Sequence, residues 1–258
     1  MQSPKSILVT GASSGIGAGL ALAYAAPDAK LYLSGRNGDR LAEIADRCRA
    51  QGATVATEVL DVTDSAAMAD WINRCDGTLP LDLVIANAGV SGGSDGVPGG
   101  ADGTRRIFAV NIDGVVNTVL PALDRMAGRG RGQVAIVSSV AAFRGLPGAP
   151  AYCASKAAVK SWGEGLRVRY ARQGLEISVI CPGFVESRMT ADNPFRMPFL
   201  MDADRAASII SRRLARNRGR IGFPFPTYAM GWLLGVLPSG LVDRLTRGLP
   251  EKEHPLSD

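Results

Sequence analysis

Short apolar runs alternate with longer amphipathic stretches from residue 5 to about residue 223, and this alternation is what most constrains the fold. A short apolar run bounded by turn formers suits a strand buried on both faces, whereas apolar positions recurring three and four apart suit a helix with one buried stripe. The candidate strands are Ser6–Val9, Lys30–Ser34, Thr54–Val59, Leu81–Ala86, Gln133–Ser138, Glu176–Cys181 and Arg220–Phe223. The helical patterns between them are Ile16–Ala26, Asp39–Gln51, Ser65–Cys75, Thr104–Ala127, Tyr152–Gln173 and Ala203–Asn217. Strands separated by helices pair in parallel through right-handed crossovers, so the expectation is an α/β fold: a doubly wound, seven-stranded parallel sheet with helices on both faces. The 31 glycines fall at the ends of apolar runs, as many short strand-to-helix junctions require.

Two stretches interrupt the rhythm. Ser91–Gly103 is rich in Gly, Ser and Asp and reads as a flexible loop at the end of the sheet where ligands bind. Met189–Met201 carries Phe195, Met197, Phe199, Leu200 and Met201 among prolines and reads as an apolar substrate lid, about 187–203. One catalytic domain is expected over 1–225, with a C-terminal helical extension over 226–258. Met230, Trp232, Leu233, Leu234 and Val236 make that extension apolar, but too short to span a bilayer. An arm packed on the core or on a partner subunit is preferred, and contact with a membrane surface is the alternative.

Immediately after the first strand comes Thr10-Gly11-Ala12-Ser13-Ser14-Gly15-Ile16-Gly17. Gly11 can make the tight turn, Gly15 lets backbone amides approach a pyrophosphate, and Gly17 lets the helix lie close to the sheet, with its N-terminus facing the anion. This reads as the phosphate loop of a Rossmann-type dinucleotide fold, although any strand-to-helix turn can use glycine. About 20 residues further on, a carboxylate would accept from a ribose 2′-hydroxyl. Ser34-Gly35-Arg36 stands there instead. A guanidinium grips a 2′-phosphate, so NADP(H) is favoured, with NAD(H) as the alternative. The bland reading is that Arg36 merely opens a solvated helix.

The spacing GxxxGxG after threonine resembles the short-chain dehydrogenase/reductase family, and the resemblance runs over residues 5–223. It implies that Asp61-Val62 contacts the adenine and that Asn87-Ala88-Gly89 steadies the sheet beside the cofactor. It implies further that Pro182-Gly183-Phe184-Val185-Glu186-Ser187 meets the nicotinamide carboxamide, with Ser187 where threonine is usual. Ser13, Ser14 and Ile16, together with Tyr152 and Lys156, complete the expected cofactor contacts.

Tyr152 and Lys156, four apart on one helix, present phenol and ammonium on the same face. A phenol is a poor base at neutral pH, and a nearby cation together with the positively charged nicotinamide is expected to favour its ionised form. Tyr152 would exchange a proton with the carbonyl or alcohol oxygen of a substrate. The resemblance selects Ser139 of Ser138-Ser139 as the group that orients that oxygen, and Asn111 as support for a water-linked proton path to Lys156. Each has a bland alternative: an exposed helical pair, a turn hydroxyl, a satisfied core amide.

Other chemistries find little support. The 29 basic residues against 24 acidic ones leave a net charge of +5, but they are scattered without interleaved aromatics, which speaks against nucleic-acid binding. Cys48, Cys75, Cys153 and Cys181 form no metal-ligand cluster, and free thiols suit the cytoplasm. His254 lies in a charged tail, and Cys153 reads as a packing residue. No metal site is expected. The leading expectation is a carbonyl reductase or alcohol dehydrogenase acting on a fairly apolar small molecule. A dinucleotide sensor without turnover is the alternative, and a nucleotide-sugar epimerase or dehydratase is disfavoured by the glycine spacing. The resemblance implies a homodimer or homotetramer.

Overall fold

The strand β1, Ser6–Thr10, is apolar at Ile7, Leu8 and Val9, and all three are fully enclosed. A strand with no solvent-facing side must be covered on both faces, and the chain accomplishes this by sending successive helices across opposite sides of one sheet. In the computed structural model, residues 3–92, 97, 100–191, 193 and 196–248 are described.

The elements follow in order: β1; α1, Gly15–Tyr24; β2, Lys30–Gly35; α2, Gly38–Ala50; β3, Thr54–Val59; α3, Ser65–Thr78; and β4, Leu83–Ala86. A helix over Gly100–Phe108, α4, runs through a π turn, Ala109–Asp113, into α5, Gly114–Arg129. Then come β5, Gly132–Val137; a 3-10 turn, Val140–Phe143; α6, Pro150–Tyr170; β6, Leu175–Pro182; and a short α7, Arg188–Ala191. The chain continues through α8, Ala203–Leu214; β7, Arg220–Phe223; α9, Phe225–Val236; and α10, Ser239–Thr246.

The seven strands pair in parallel in the order β3-β2-β1-β4-β5-β6-β7. The expected α/β doubly wound sheet is therefore present. One core layer joins Leu20, Leu33, Leu41, Ile210 and Phe223, and the other joins Met68, Ile72, Leu123, Val159 and Ile177 across the sheet. Strand order reverses between β1 and β4, and the crevice beyond the carboxyl ends of these two strands is where such sheets bind ligands.

Three expectations need correction. The fourth helical pattern does not begin at Thr104: α4 starts at Gly100, inside the stretch read as loop, because Ile107 has a buried seat that outweighs the low helix propensity of Gly100 and Gly103. Nor is that helix regular, since Val110 and Asn111 lie in its π turn. The lid is corrected more heavily. Met201 is a core residue that pairs back to Val185 and bonds to Phe184 O at 3.1 Å, while Phe199 and Leu200 face solvent. Pro194 and Phe195 lie outside the described residues, as do the tail with His254 and residues 93–96 of the glycine-rich stretch.

The α4 to α5 helix, Gly100–Arg129, is long and apolar enough to cross a membrane, but half of its apolar window is buried inside the fold. Its contacts with α3 and α6 give that apolar face a protein partner. α9 packs on the Val140–Phe143 turn at two glycines four apart. A Cβ on Gly231 would stand 3.0 Å from Val140 O, and one on Gly235 would stand 2.8 Å from Phe143 O.

Candidate active site

The glycine loop leaves β1 with Gly11 at φ +66 and Gly15 at φ +52, a left-handed backbone that side chains resist. Space agrees with conformation. A Cβ on Gly11 would lie 2.8 Å from Ala88 Cα, one on Gly15 would lie 2.8 Å from Ser187 Cβ, and one on Gly17 would strike Gly11 O. The loop is thereby pressed between the ends of β4 and β6. Thr10 Oγ1 accepts from Asn87 N (3.1 Å) and Ala88 N (3.2 Å), and Asn87 Nδ2 donates to Thr10 O (3.0 Å) and Gly11 O (3.1 Å). Asn87 thus holds the two strand ends at the reversal point together.

These loops line a cavity of about 840 Å³. Gly11, Ser13, Ser14, Gly15, Ile16, Arg36, Asp61, Val62, Asn87, Ala88, Gly89, Ser139, Tyr152, Lys156, Pro182, Gly183, Val185 and Ser187 all border it. Two candidates do not: Gly17 lies behind the loop, where it allows close helix packing, and Asn111 is fully buried beneath the floor. Asn111 Oδ1 accepts from Val90 N (2.8 Å), while its Nδ2 donates to Val90 O (2.9 Å) and Ser155 Oγ (3.0 Å). That clamp joins the loop after β4 to α6, so the side chain is already committed to holding the floor.

Ser138 and Ser139 separate by partner. Ser138 Oγ donates to Lys156 O at 2.7 Å and so braces α6, whereas Ser139 caps the following turn by accepting from Ala141 N at 3.1 Å and hydrogen-bonds Tyr152. Lys156 Nζ is 5.8 Å from the Tyr152 ring centre and donates to Val137 O at 3.0 Å. Burial pushes the Tyr152 phenol up to about 12, and the Ser139 hydrogen bond only partly offsets this. Burial also draws Lys156 down to about 8. In the enclosed site burial disfavours the charged form of both groups, which moves the phenol up and the ammonium down.

Asp61 borders the cavity but is held. Its Oδ1 accepts from Thr63 N (3.0 Å) and Thr63 Oγ1 (2.8 Å), and its Oδ2 accepts from Arg106 at 2.7 Å. Burial raises its pKa, yet these hydrogen bonds prevail and hold the carboxyl below its ordinary value. Asp61 is the one carboxylate on the cavity wall among the described residues, against Arg36, Arg40, Arg144, Lys156, Arg188 and Arg196.

Several wall residues were not foreseen in the sequence. Arg40 follows the N-cap Asn37, which accepts from its backbone N at 2.9 Å, and its Nε is buried with no hydrogen-bond partner. Arg40 carried a faint signal, four residues beyond Arg36. Thr190 Oγ1 receives Ser187 N at 2.9 Å and donates to Val185 O at 2.9 Å, fixing the loop after β6. Met230, Leu234 and Leu245 come from α9 and α10, which the sequence linked to no site. Of the supposed lid residues Met197, Phe199 and Met201, none borders the cavity; its apolar wall is built from Val140, Leu146, Phe184, Met189, Pro198 and those helical residues.

Residues 5–196 match the family model described as short chain dehydrogenase. An "Uncharacterized oxidoreductase" of Myxococcus xanthus is 39% identical over 246 residues, covering 95% of this chain and 97% of that protein. A gluconate 5-dehydrogenase of Gluconobacter oxydans is 33% identical over 184 residues, 71% of this chain and 72% of that one. The fold resembles that of a short-chain dehydrogenase from Sphingobium yanoikuyae in complex with NADPH, with a TM-score of 0.78 and 24% identity over 96% of this chain and 98% of that one. It also resembles that of a short chain dehydrogenase from Mycobacterium paratuberculosis bound to NAD, with a TM-score of 0.76 and 20% identity over 89% and 100% of the two chains.

Proposed function

The chain belongs to the short-chain dehydrogenase/reductase family, and from that premise we propose that it is an NADPH-preferring oxidoreductase interconverting a carbonyl and an alcohol on a largely apolar small molecule. The carrying observation is the convergence of Ser139, Tyr152 and Lys156 on one cavity that also receives the glycine loop. Relatives named as oxidoreductases, over nearly the whole length in one case, favour this over a sensor without turnover.

The fit to a dinucleotide rests on the chain itself. Gly11 and Gly15 clear space at the reversal point, Ser13, Ser14 and Ile16 would hold the diphosphate at the start of α1, and Gly17 lets that helix lie close behind the loop. Arg36 and Arg40 would hold a 2′-phosphate, and a buried Arg40 Nε lacking a partner suits an anion better than a hydroxyl. Asp61 and Val62 would flank the adenine, Asn87, Ala88 and Gly89 the middle of the cofactor, and Pro182, Gly183, Val185 and Ser187 the nicotinamide. When bound, the dinucleotide supplies or accepts the hydride.

Tyr152 keeps its proton at neutral pH because its pKa lies near 12, and so stands ready to donate from Oη to a carbonyl oxygen. Ser139 would donate to the same oxygen and fix its position. A protonated Lys156 would favour the phenolate left behind, and Asn111 would keep the loop after β4 at the right distance from α6. In the oxidising direction the same phenolate takes the alcohol proton.

We take 1–225 as the catalytic unit and 226–258 as a C-terminal extension, of which Met230, Leu234 and Leu245 wall the substrate side, while Met189, Asn193, Arg196 and Pro198 of the expected lid border the same cavity. Four buried free thiols support a cytoplasmic protein. Leu120 on α5 and Val168 on α6 are exposed, as an oligomer built on these helices would need. Phe225, Trp232, Leu233 and Val236 on the outer side of α9 are exposed too, which suits a further subunit or a membrane surface.

The test is oxidation of NADPH against NADH over ketones, aldehydes and quinones, beside Tyr152→Phe. NADPH-preferring turnover that drops by about 10²-fold or more in the variant, with cofactor binding retained, is the expected result. Tight cofactor binding without turnover of any carbonyl would return the sensor reading.

A further inference from the structure

We propose that the substrate is an amphipathic carbonyl compound whose apolar body ends in an anionic group, a carboxylate or a phosphate monoester, and that Arg144 reads that group. This rests on the carbonyl oxidoreductase reading above and extends it to the substrate's class.

Arg144 closes the turn that begins at Ser139, with an extended backbone (φ −153, ψ 145) and a partly buried side chain on the cavity wall. Among the described residues no carboxylate pairs with it and no hydrogen bond is made by its guanidinium. A guanidinium brought out of bulk water is stabilised by an anion in its reach, and a carboxylate or phosphate matches its planar fork.

Position separates this cation from the cofactor's. Arg36 and Arg40 follow β2, whereas Arg144 follows β5, three strands away in the order β2-β1-β4-β5. Three strand spacings amount to about 14 Å, so the two cationic ends flank the cavity with Ser139 and Tyr152 on the Arg144 side. The walls around Arg144 are apolar: Leu146 follows it in the chain, and Met230 and Leu234 on α9 share the cavity beside the turn on which α9 packs. Arg188 and Arg196, in the segment after β6, also border the cavity and are exposed. The one carboxylate bordering the cavity, Asp61, lies at the adenosine end and is engaged by Arg106. A neutral apolar substrate would leave the arginine at this end facing a dry chain, whereas an anionic end satisfies it.

The experiment compares medium-chain keto acids, the corresponding keto phosphates and the keto acid methyl esters in the wild type, Arg144→Gln and Arg144→Lys. The wild type is expected to show kcat/KM about tenfold or more higher for an anionic member than for its methyl ester. Arg144→Gln brings that ratio close to one, and Arg144→Lys restores part of it. Whether carboxylate or phosphate benefits more identifies the source of the charge. Equal use of acid and ester by the wild type overturns the proposal, as does an acid preference that survives Arg144→Gln. Binding of decanoate against methyl decanoate to the NADP⁺-loaded protein, by calorimetry, gives a second reading independent of turnover. Ester turnover without acid preference defeats this proposal alone, whereas absence of all turnover defeats the reductase reading and leaves the calorimetric comparison to decide the anion site.

Discussion

Lys156 is the residue whose chemistry depends most on enclosure. Burial lowers its folded pKa to about 8, against 10.5 for the free side chain. Between those values the unfolded chain holds a proton that the folded chain has released, so stability rises with pH across that window; below about 8 both states are protonated and the burial cost stays constant. Urea unfolding at pH 8 and pH 10 is therefore expected to show the wild type gaining stability relative to Lys156→Met. The difference against the variant removes the contribution of Cys75, whose thiol is pushed up to about 12 by burial and acts in the opposite sense above pH 9; Cys181, raised likewise, interacts with Lys156 and so stays within the difference. At the other end of the cavity, Arg40→Ala should raise KM for NADPH by about tenfold or more while changing KM for NADH much less, since only the phosphate needs the charge. Steady-state titration of both cofactors checks this, and equal losses would remove Arg40 from phosphate recognition. Gly15→Ala tests the loop. Its φ of +52 and the Ser187 side chain facing it both oppose a Cβ, so cofactor affinity measured by fluorescence titration should fall by tenfold or more.

Among the elements, α9 gained the most significance from the structure. Its sequence reads as an apolar helix of uncertain seat, but Gly231 and Gly235 press it against the turn that begins at Ser139, and Phe143 meets Tyr228 edge to face at 5.5 Å. Replacing Gly231 with leucine should push α9 off that turn and widen the substrate side. The expected result is a higher KM for substrate with KM for NADPH little changed; an equal rise in both would place α9 elsewhere in the mechanism. The π turn at Ala109–Asp113 is the other element that periodicity concealed. One extra residue per turn directs Asn111 at the loop after β4, where its amide closes on Val90. A regular helix in the same stretch would turn that side chain away, which is why the helical pattern alone gave Asn111 no partner.

For the molecule as a whole, strand order does the assembling. The ends of β1, β2, β4, β5 and β6 supply separate pieces of one cavity, and those pieces come from residues as far apart as Gly11 and Leu245. A ligand that binds only when all of them are in place must stabilise the whole fold. NADP⁺ at about 100 times its Kd should add about 2.7 kcal/mol to unfolding free energy, read as a rise in Tm that the same excess of a non-binding nucleotide does not give.

The sequence by itself determined the periodicities: buried apolar runs that become central strands, amphipathic spacings that become covering helices, and glycines at positions where φ turns positive or the backbone closes in. It also fixed Tyr152 and Lys156 on one helical face, since a spacing of four leaves no other arrangement on a helix. Such properties act over a few residues and need no knowledge of distant partners. Only the tertiary structure decided that Arg40 and Arg144 stand on the wall, that Met201 is core while Met230 borders the cavity, and that enclosure draws Tyr152 and Lys156 toward their neutral forms. Burial and electrostatics depend on which segments meet across the sheet, and those meetings are set by long-range packing that no local pattern encodes.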